Sequence, residues 1–140
     1  MSLAGPTNFA PLIYQAISLC AQAGSYHILL IIADGELTPD NEYQTSTSDT
    51  RNAVVMATEY PLSIVVVGVG DGPFDGMHVL DDDDMPGRAF DNLQFVEFEA
   101  VKAQSSDATT FANNFAKAAL MEVPEQYARI KELKLLDRRM

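Results

Sequence analysis

Two uninterrupted apolar runs of strand length constrain the fold of this chain more than any other feature of its sequence. They cover residues 26–33 (YHILLIIA) and 62–69 (LSIVVVGV). An apolar run without polar alternation is typical of a parallel strand that is covered on both faces. Both runs are far shorter than the roughly 20 residues that a membrane-spanning helix needs. The chain is therefore predicted to form an α/β domain with a mostly parallel sheet and helices on its faces.

Helical signals surround these runs. Apolar residues at helical spacing over residues 8–23 predict a helix, and Gly24 supplies its end. A second helix is predicted to begin at a cap formed by Ser48 or Asp49 and to stop before Pro61. Because this helix joins the two apolar runs, the three elements are expected to form a right-handed βαβ unit.

The rest of the chain continues the alternation of helix and strand. A short helix is predicted over residues 74–80, followed by a loop over residues 81–91. A third strand, residues 93–98, contains polar side chains and is predicted to lie at an edge of the sheet. A last helix is predicted to begin at the capping residue Asp107 and to kink or restart at Pro124.

The size and composition of the chain limit its possible functions. With 140 residues, 47% of them hydrophobic, it can bury the core of one domain. Its single cysteine, Cys20, excludes an internal disulfide framework and any multi-cysteine zinc module. The N-terminus carries no basic region ahead of an apolar stretch, so it does not resemble a secretory signal. These features together predict a cytoplasmic protein.

Charge is distributed unevenly along the sequence. Residues 1–100 carry 15 acidic and two basic side chains, while residues 101–140 carry five acidic and seven basic ones. The net charge of −11 disfavours binding to nucleic acid and direct contact with anionic membranes. Cations and basic protein surfaces are the expected partners of the acidic part.

Three oxygen-bearing side chains are predicted to meet at one edge of the sheet. Asp34 and Asp71 follow the two apolar runs, and ligands bind beyond the carboxyl ends of parallel strands. Thr7 precedes the first predicted helix and can lie at the same edge. Hydroxyl and carboxylate oxygens suit a hard divalent cation such as Mg²⁺. The alternative for Asp34 is a carboxylate that only ends a strand, and for Thr7 a residue that only starts a helix.

Several long motifs resemble the von Willebrand factor A domain of the copine family. The motifs are GPTNFAP at 5–11, IIADG at 31–35, LSIVVVGVGDGPFD at 62–75 and FDNLQFVEF at 90–98. A further segment, ALMEVPEQY at 119–127, is similar to the end of this domain in copine-like RING ubiquitin ligases. The resemblance implies a partial von Willebrand A fold at residues 4–136, lacking its first central strand. Residues 1–3 are interpreted as vector-derived.

The resemblance also implies a metal-ion-dependent adhesion site, in which a cation is completed by an acidic group of the partner. Thr7 would be its threonine ligand and Asp34 its third-loop aspartate. The cation would be Mg²⁺, or Mn²⁺ or Ca²⁺. The family pattern further requires an Asp-x-Ser-x-Ser loop on the central strand, and that sequence does not occur in this chain. We therefore expect cation binding by this chain to be weak or absent.

The function implied by the resemblance is that of a non-enzymatic protein-interaction module. An alternative is the partner-recruiting domain of a copine-like RING E3 ubiquitin ligase. In copines, paired C2 domains elsewhere would provide calcium-dependent phospholipid binding. With its central strand absent, residues 26–33 should pair with residues 62–69 on one side only, so the isolated chain is expected to form a homodimer through the remaining edge.

Other motifs carry weaker alternatives. The glycines at 68, 70 and 72 suggest a dinucleotide-binding turn, but Pro73 stands where its third glycine belongs, so a nucleotide-using enzyme is disfavoured. The acidic run at residues 81–84 lacks calcium-loop spacing and is predicted to be a solvated loop. His27 and His78 have no neighbouring nucleophile in a recognisable arrangement, so no catalytic residue is assigned. Cys20 is predicted to belong to the core.

Overall fold

A computed structural model describes residues 8–34, 46–70 and 87–136 of the chain. Helices and strands alternate along these residues. In chain order they are α1 (Ala10–Ala23), β1 (His27–Ala33), α2 (Ser46–Ala57), β2 (Leu62–Gly68), β3 (Leu93–Glu97), α3 (Phe98–Ala103), α4 (Ala108–Leu120) and α5 (Val123–Glu132). The predicted α/β fold with a parallel sheet is confirmed.

The three described strands form one parallel sheet in the order β1-β2-β3. The register places His27 beside Leu62 and Ala33 beside Gly68, while Ile64 lies beside Leu93. The predicted pairing of the two apolar runs is therefore confirmed, and among the described strands the third lies at an edge of the sheet, as predicted. Strands β2 and β3 end one residue earlier than predicted, because the chain leaves the sheet after Gly68 and turns into a helix at Phe98. Strand β1 begins at His27, one residue later than predicted.

Helices α1 and α2 pack side by side on one face of the sheet. Their buried side chains, including Ile13 and Val54, form one core cluster with Ile31, Ile64 and Phe95. Helix α1 ends as predicted. Gly24 has a φ of 67°, and its N–H donates to the Cys20 carbonyl at 2.8 Å. Helix α2 begins at Ser46, two to three residues before the predicted cap.

Helix α4 covers the opposite face of the sheet only over β2 and β3. Val65, Val67 and Val96 contact a cluster of aromatic side chains from α3 and α4. Phe98 packs edge-on against Phe111, with ring centroids 5.1 Å apart. On β1 the side chains of the same face remain exposed. The prediction that residues 26–33 are covered on both faces is therefore wrong for the described part of the chain, because the described helices stop short of β1.

The C-terminal helices follow the predicted signals. Asp107 caps α4, with its carboxylate accepting a hydrogen bond from the Thr110 N–H at 2.7 Å. Pro124 lies in the first turn of α5, which restarts the helix after Leu120. Helix α5 contributes Ile130 to a third cluster, with Phe90 and Tyr26.

Some predictions fall outside the described residues. They are the short helix at 74–80 and the acidic run at 81–84. Within the described ranges, none of the helices is long and apolar enough to span a membrane.

Candidate functional site

The carboxyl ends of the parallel strands define one edge of the sheet, which we call the carboxyl edge. Strand β1 ends there at Ala33, and Asp34 follows in a bend with its side chain exposed to solvent. Strand β2 ends at the same edge, where Val69 donates its N–H to the Ala33 carbonyl at 2.8 Å. This contact fixes the backbone directly before Asp34. The structure thus presents the predicted carboxylate at the expected edge.

The first turns of α1 and α2 lie towards the carboxyl edge as well. Helix α1 ends at Ala23, close before the start of β1, and α2 ends at Ala57, close before the start of β2. Each helix must therefore run from the carboxyl edge to the opposite edge. The 12 residues of α2 span about 18 Å, which is close to the length of the strands.

A polar network joins these two helix starts. The Asn8 amide nitrogen donates to the Asp49 carboxylate at 3.2 Å, and the Phe9 N–H donates to the Thr50 hydroxyl oxygen at 3.2 Å. The Thr50 hydroxyl in turn donates to the Asn8 amide oxygen at 3.3 Å, and that oxygen also accepts from the Ala10 N–H at 2.9 Å. Thr50 is fully buried. The network fixes the start of α1 against the start of α2.

The sequence pattern does not predict this network. Ser48 or Asp49 was predicted to cap α2, but both lie inside that helix, and Asp49 in its first turn accepts a hydrogen bond from Asn8. Asn8 and Thr50 were not singled out. Because 41 or more residues separate the partners, their pairing depends on how α1 and α2 pack. The one local signal was a run of polar side chains at both helix starts.

The structure describes only one of the two predicted metal ligands. Asp34 lies at the carboxyl edge, while Thr7, the residue before Asn8, lies outside the described ranges, as does Asp71. The residues described contain no group of three or more His, Cys, Asp or Glu side chains that could hold a metal ion. Asp34 fits a hard cation by its oxygen donors and its position. A complete ligand set would need donors beyond the described residues.

Two other potentially reactive side chains, Cys20 and His27, each lie beside a backbone carbonyl oxygen. Cys20 is fully buried, and burial raises the pKa of its thiol to about 11. Its sulfur lies 3.7 Å from the Pro61 carbonyl oxygen. A thiol that stays protonated at neutral pH is a poor nucleophile. The predicted core position of Cys20 is confirmed. The Nδ1 atom of His27 lies 2.8 Å from the Ser25 carbonyl oxygen, within hydrogen-bonding distance.

The fold and this edge define an α/β domain with a parallel sheet and an exposed carboxylate at its carboxyl edge. Over residues 1–139 the sequence matches the family described as Copine, so the chain belongs to the copine family. The resemblance predicted from the motifs is confirmed.

Relatives of two kinds share this domain. Copine family protein 1 of Caenorhabditis elegans is 48% identical over 138 residues, covering 99% of this chain and 12% of the relative. E3 ubiquitin-protein ligase RGLG5 of Arabidopsis thaliana is 48% identical over 145 residues, covering 99% of this chain and 33% of the relative. E3 ubiquitin-protein ligase RGLG2 of Arabidopsis thaliana is 46% identical over 145 residues, covering 99% and 31%. The chain thus spans a third or less of the length of these relatives.

Proposed function

We propose that this copine-family domain is a non-enzymatic protein-interaction module, which binds its partners through a divalent cation at the carboxyl edge. The observation that carries the proposal is the exposed Asp34 carboxylate directly after β1, held at the edge by the Val69–Ala33 hydrogen bond. Carboxylates at this edge of a parallel sheet are well placed to bind a ligand from outside the domain.

Thr7 and Asp34 would hold the cation. Their hydroxyl and carboxylate oxygens suit Mg²⁺, with Mn²⁺ or Ca²⁺ as substitutes. When bound, the cation would offer a coordination position to an acidic group of the partner. The network of Asn8, Asp49 and Thr50 supports this arrangement because it fixes the start of α1 at the residue that follows Thr7. Two ligands leave most coordination positions to water, so this chain alone should bind the cation weakly.

Titration with Mn²⁺, followed by NMR, tests the proposal. The paramagnetic ion broadens the signals of nearby amides. We expect broadening centred on Ala33 and Asp34, reduced by Asp34→Asn and unchanged by Glu59→Gln. Glu59 is a matched control because it lies between α2 and β2, at the opposite edge of the sheet. Joining the chain to a segment with the Asp-x-Ser-x-Ser sequence should tighten binding. Broadening that Asp34→Asn leaves unchanged would contradict the proposal.

A second candidate function is the recruitment of partners for ubiquitin transfer. The observation that favours it is the match to plant E3 ubiquitin-protein ligases over 99% of the chain. A RING domain needs a dense set of Cys and His ligands for zinc. This chain has one cysteine and two histidines, so it would supply the recruiting surface and not the RING.

The two candidates differ in what the full-length protein does with a bound partner. A ligase would transfer ubiquitin to that partner in a reconstituted reaction with the activating and conjugating enzymes. We expect transfer to fall with Asp34→Asn and to persist with Glu59→Gln. Partner binding without transfer by the full-length protein would favour the interaction module alone.

A further inference from the structure

A cleft lies where helix α5 passes the start of strand β3, and we call it the α5 cleft. It has a volume of about 160 Å³ and is lined by Phe90, Asp91, Glu122, Glu125, Gln126 and Arg129. Phe90 and Asp91 come shortly before β3, so the cleft lies at the edge of the sheet opposite the carboxyl edge. In the strand order β1-β2-β3 it is beside the strand farthest from β1. The α5 cleft is therefore separate from the proposed cation site at Asp34.

One wall of the α5 cleft contains a buried hydrogen-bond acceptor without a donor. Glu122, Glu125, Gln126 and Arg129 recur at helical spacing, so their side chains share one face of α5. Gln126 is only 3% exposed, and its Oε1 atom accepts no hydrogen bond within the described residues. Burying such an oxygen costs free energy, and folded proteins rarely leave one unpaired. The cleft thus offers an acceptor that a donor from outside can satisfy.

The charge of the α5 cleft indicates what kind of donor it takes. Its lining carries three carboxylates, those of Asp91, Glu122 and Glu125, and a single guanidinium, that of Arg129. Arg129 already pairs with a further carboxylate, that of Glu132. The excess of negative charge attracts a cation and repels an anion. A positively charged N–H donor therefore satisfies both the acceptor and the charge.

Two of the carboxylates are held in place by neighbouring side chains. Asp91 accepts from Arg88 at 3.1 Å, and the Arg88 side chain is only 4% exposed. With its amide nitrogen turned towards α5, Gln94 of β3 donates to both oxygens of Glu122, at 2.8 and 3.0 Å. Fixed acceptors on two walls suit a planar guanidinium, which has five donors and is more weakly hydrated than an ammonium. The volume of the cleft is below the roughly 300 Å³ typical of small-molecule sites, so it fits one side chain.

We infer that the α5 cleft binds an arginine side chain of a partner protein, whose guanidinium donates to the Gln126 Oε1 atom and to the neighbouring carboxylates. The apolar stem of the arginine would lie against Phe90, which is otherwise buried. This contact needs no metal ion and lies at the opposite edge of the sheet from Asp34. Asp34→Asn and a metal chelator should both leave it unchanged, so the inference can fail independently of the proposed cation site.

An NMR titration of the whole chain with a short peptide, one arginine flanked by glycines and serines, tests the inference. We expect shift changes centred on the amides of Asp91, Glu125 and Gln126. The same peptide with citrulline, which keeps the shape of arginine but has no charge, should not bind. The peptide with lysine should bind at least about fivefold more weakly, because an ammonium is compact and strongly hydrated. Equal binding of the arginine and citrulline peptides, or shift changes centred elsewhere, would overturn the inference.

Substitutions in the wall of the cleft test its two components. Gln126→Met keeps the size of the side chain but removes the acceptor, so it should weaken binding of the arginine peptide about tenfold. It should not lower the melting temperature, because the acceptor that it removes has no donor in the described residues. Glu125→Gln should weaken binding about two- to fivefold. Glu99→Gln, the same change at an exposed position on α3, is the matched control and should bind like the wild type.

The behaviour of Gln126→Met decides between a binding site and a purely structural role for this side chain. Unchanged affinity for the arginine peptide would show that the acceptor takes no part in binding. A lower melting temperature would show that Gln126 already has a donor within the chain. Either result would overturn the inference.

Discussion

Strands β1 and β2 are neighbours of equal length and similar apolar composition, but they differ in how much of their surface is covered. All seven residues of β2 are buried, whereas β1 exposes alternate side chains. The difference arises from their neighbours. Strand β2 has a strand on each side and helices on both faces. Strand β1 has α1 and α2 on one face, but α4 does not extend over its other face. The apolar composition of a strand thus shows that both of its faces can be buried. The helices and strands that pack around it determine which of its side chains are buried.

The largest expected effect contrasts two isoleucine-to-alanine substitutions. Ile64 on β2 is fully buried, so Ile64→Ala should lower the free energy of unfolding by about 2–5 kcal/mol through lost burial and a residual cavity. Ile32→Ala removes the same atoms from an exposed site and should cost less than about 1 kcal/mol. Urea denaturation measures both. Equal losses would show that β1 is covered as completely as β2.

The next effect concerns a buried amide on the covered side of the sheet. The Asn92 side chain donates to the Val54 carbonyl of α2 at 3.1 Å and accepts from Arg88 Nε at 3.2 Å. Asn92→Ala removes both hydrogen bonds and should lower the free energy of unfolding by about 1–3 kcal/mol. Asn113→Ala, at an exposed position on α4, is the control and should change it by less than about 0.5 kcal/mol. Similar denaturation midpoints for the two variants would contradict this role.

Tyr26 lies directly before β1, and its side chain is partly buried. Its hydroxyl donates to the Ser63 hydroxyl oxygen at 2.6 Å, and its ring packs edge-on against Tyr127 at 5.2 Å. A tyrosine hydroxyl is protonated at neutral pH and can donate, and burial raises the pKa of Tyr26 further. Tyr26→Phe should lower the free energy of unfolding by about 0.5–1.5 kcal/mol. Tyr14→Phe, at an exposed position on α1, should be neutral; an equal loss there would exclude a specific role for the Tyr26–Ser63 bond.

The smallest effect is expected at the cap of α4, the helix that covers β2. The hydrogen bond from the Thr110 N–H lowers the pKa of Asp107 below its usual value. The resulting stabilisation is present above the pKa of the unfolded state, about 3.9, and is lost as pH falls through the folded-state pKa. Asp107→Ala should lower the melting temperature at pH 7 more than at pH 3.

Asparagine separates the cap from its charge. Asp107→Asn can still accept the Thr110 hydrogen bond, so its melting temperature should lie near the wild-type value at pH 7. A loss for Asp107→Ala that is the same at both pH values would contradict a contribution from the ionised carboxylate.

Much of the fold followed from local signals in the sequence. The apolar runs predicted β1 and β2 to within one residue at each end, Gly24 ended α1, and Asp107 and Pro124 marked the starts of α4 and α5. Helix α3 was missed because Phe98 continues the apolar pattern of β3. The exposure of one face of β1 was not predicted. An apolar sequence pattern identifies the strand, but it does not show whether a neighbouring helix extends over it.

The candidate site was predictable only in part. The position of Asp34 followed from the end of an apolar run, since parallel strands share one carboxyl edge. The contacts of Asn8 with Asp49 and Thr50 cross more than 40 residues of sequence. They depend on how α1 packs against α2, which local signals do not specify.

Residue-resolved hydrogen exchange along β1 tests the central contrast most directly. In this chain the amides of Leu29 and Ile31 should be protected by β2, while those of Ile28, Leu30 and Ile32, which direct away from β2, should exchange rapidly. Protection of all five amides would contradict the account, because it would mean that the side of β1 facing away from β2 is covered as well.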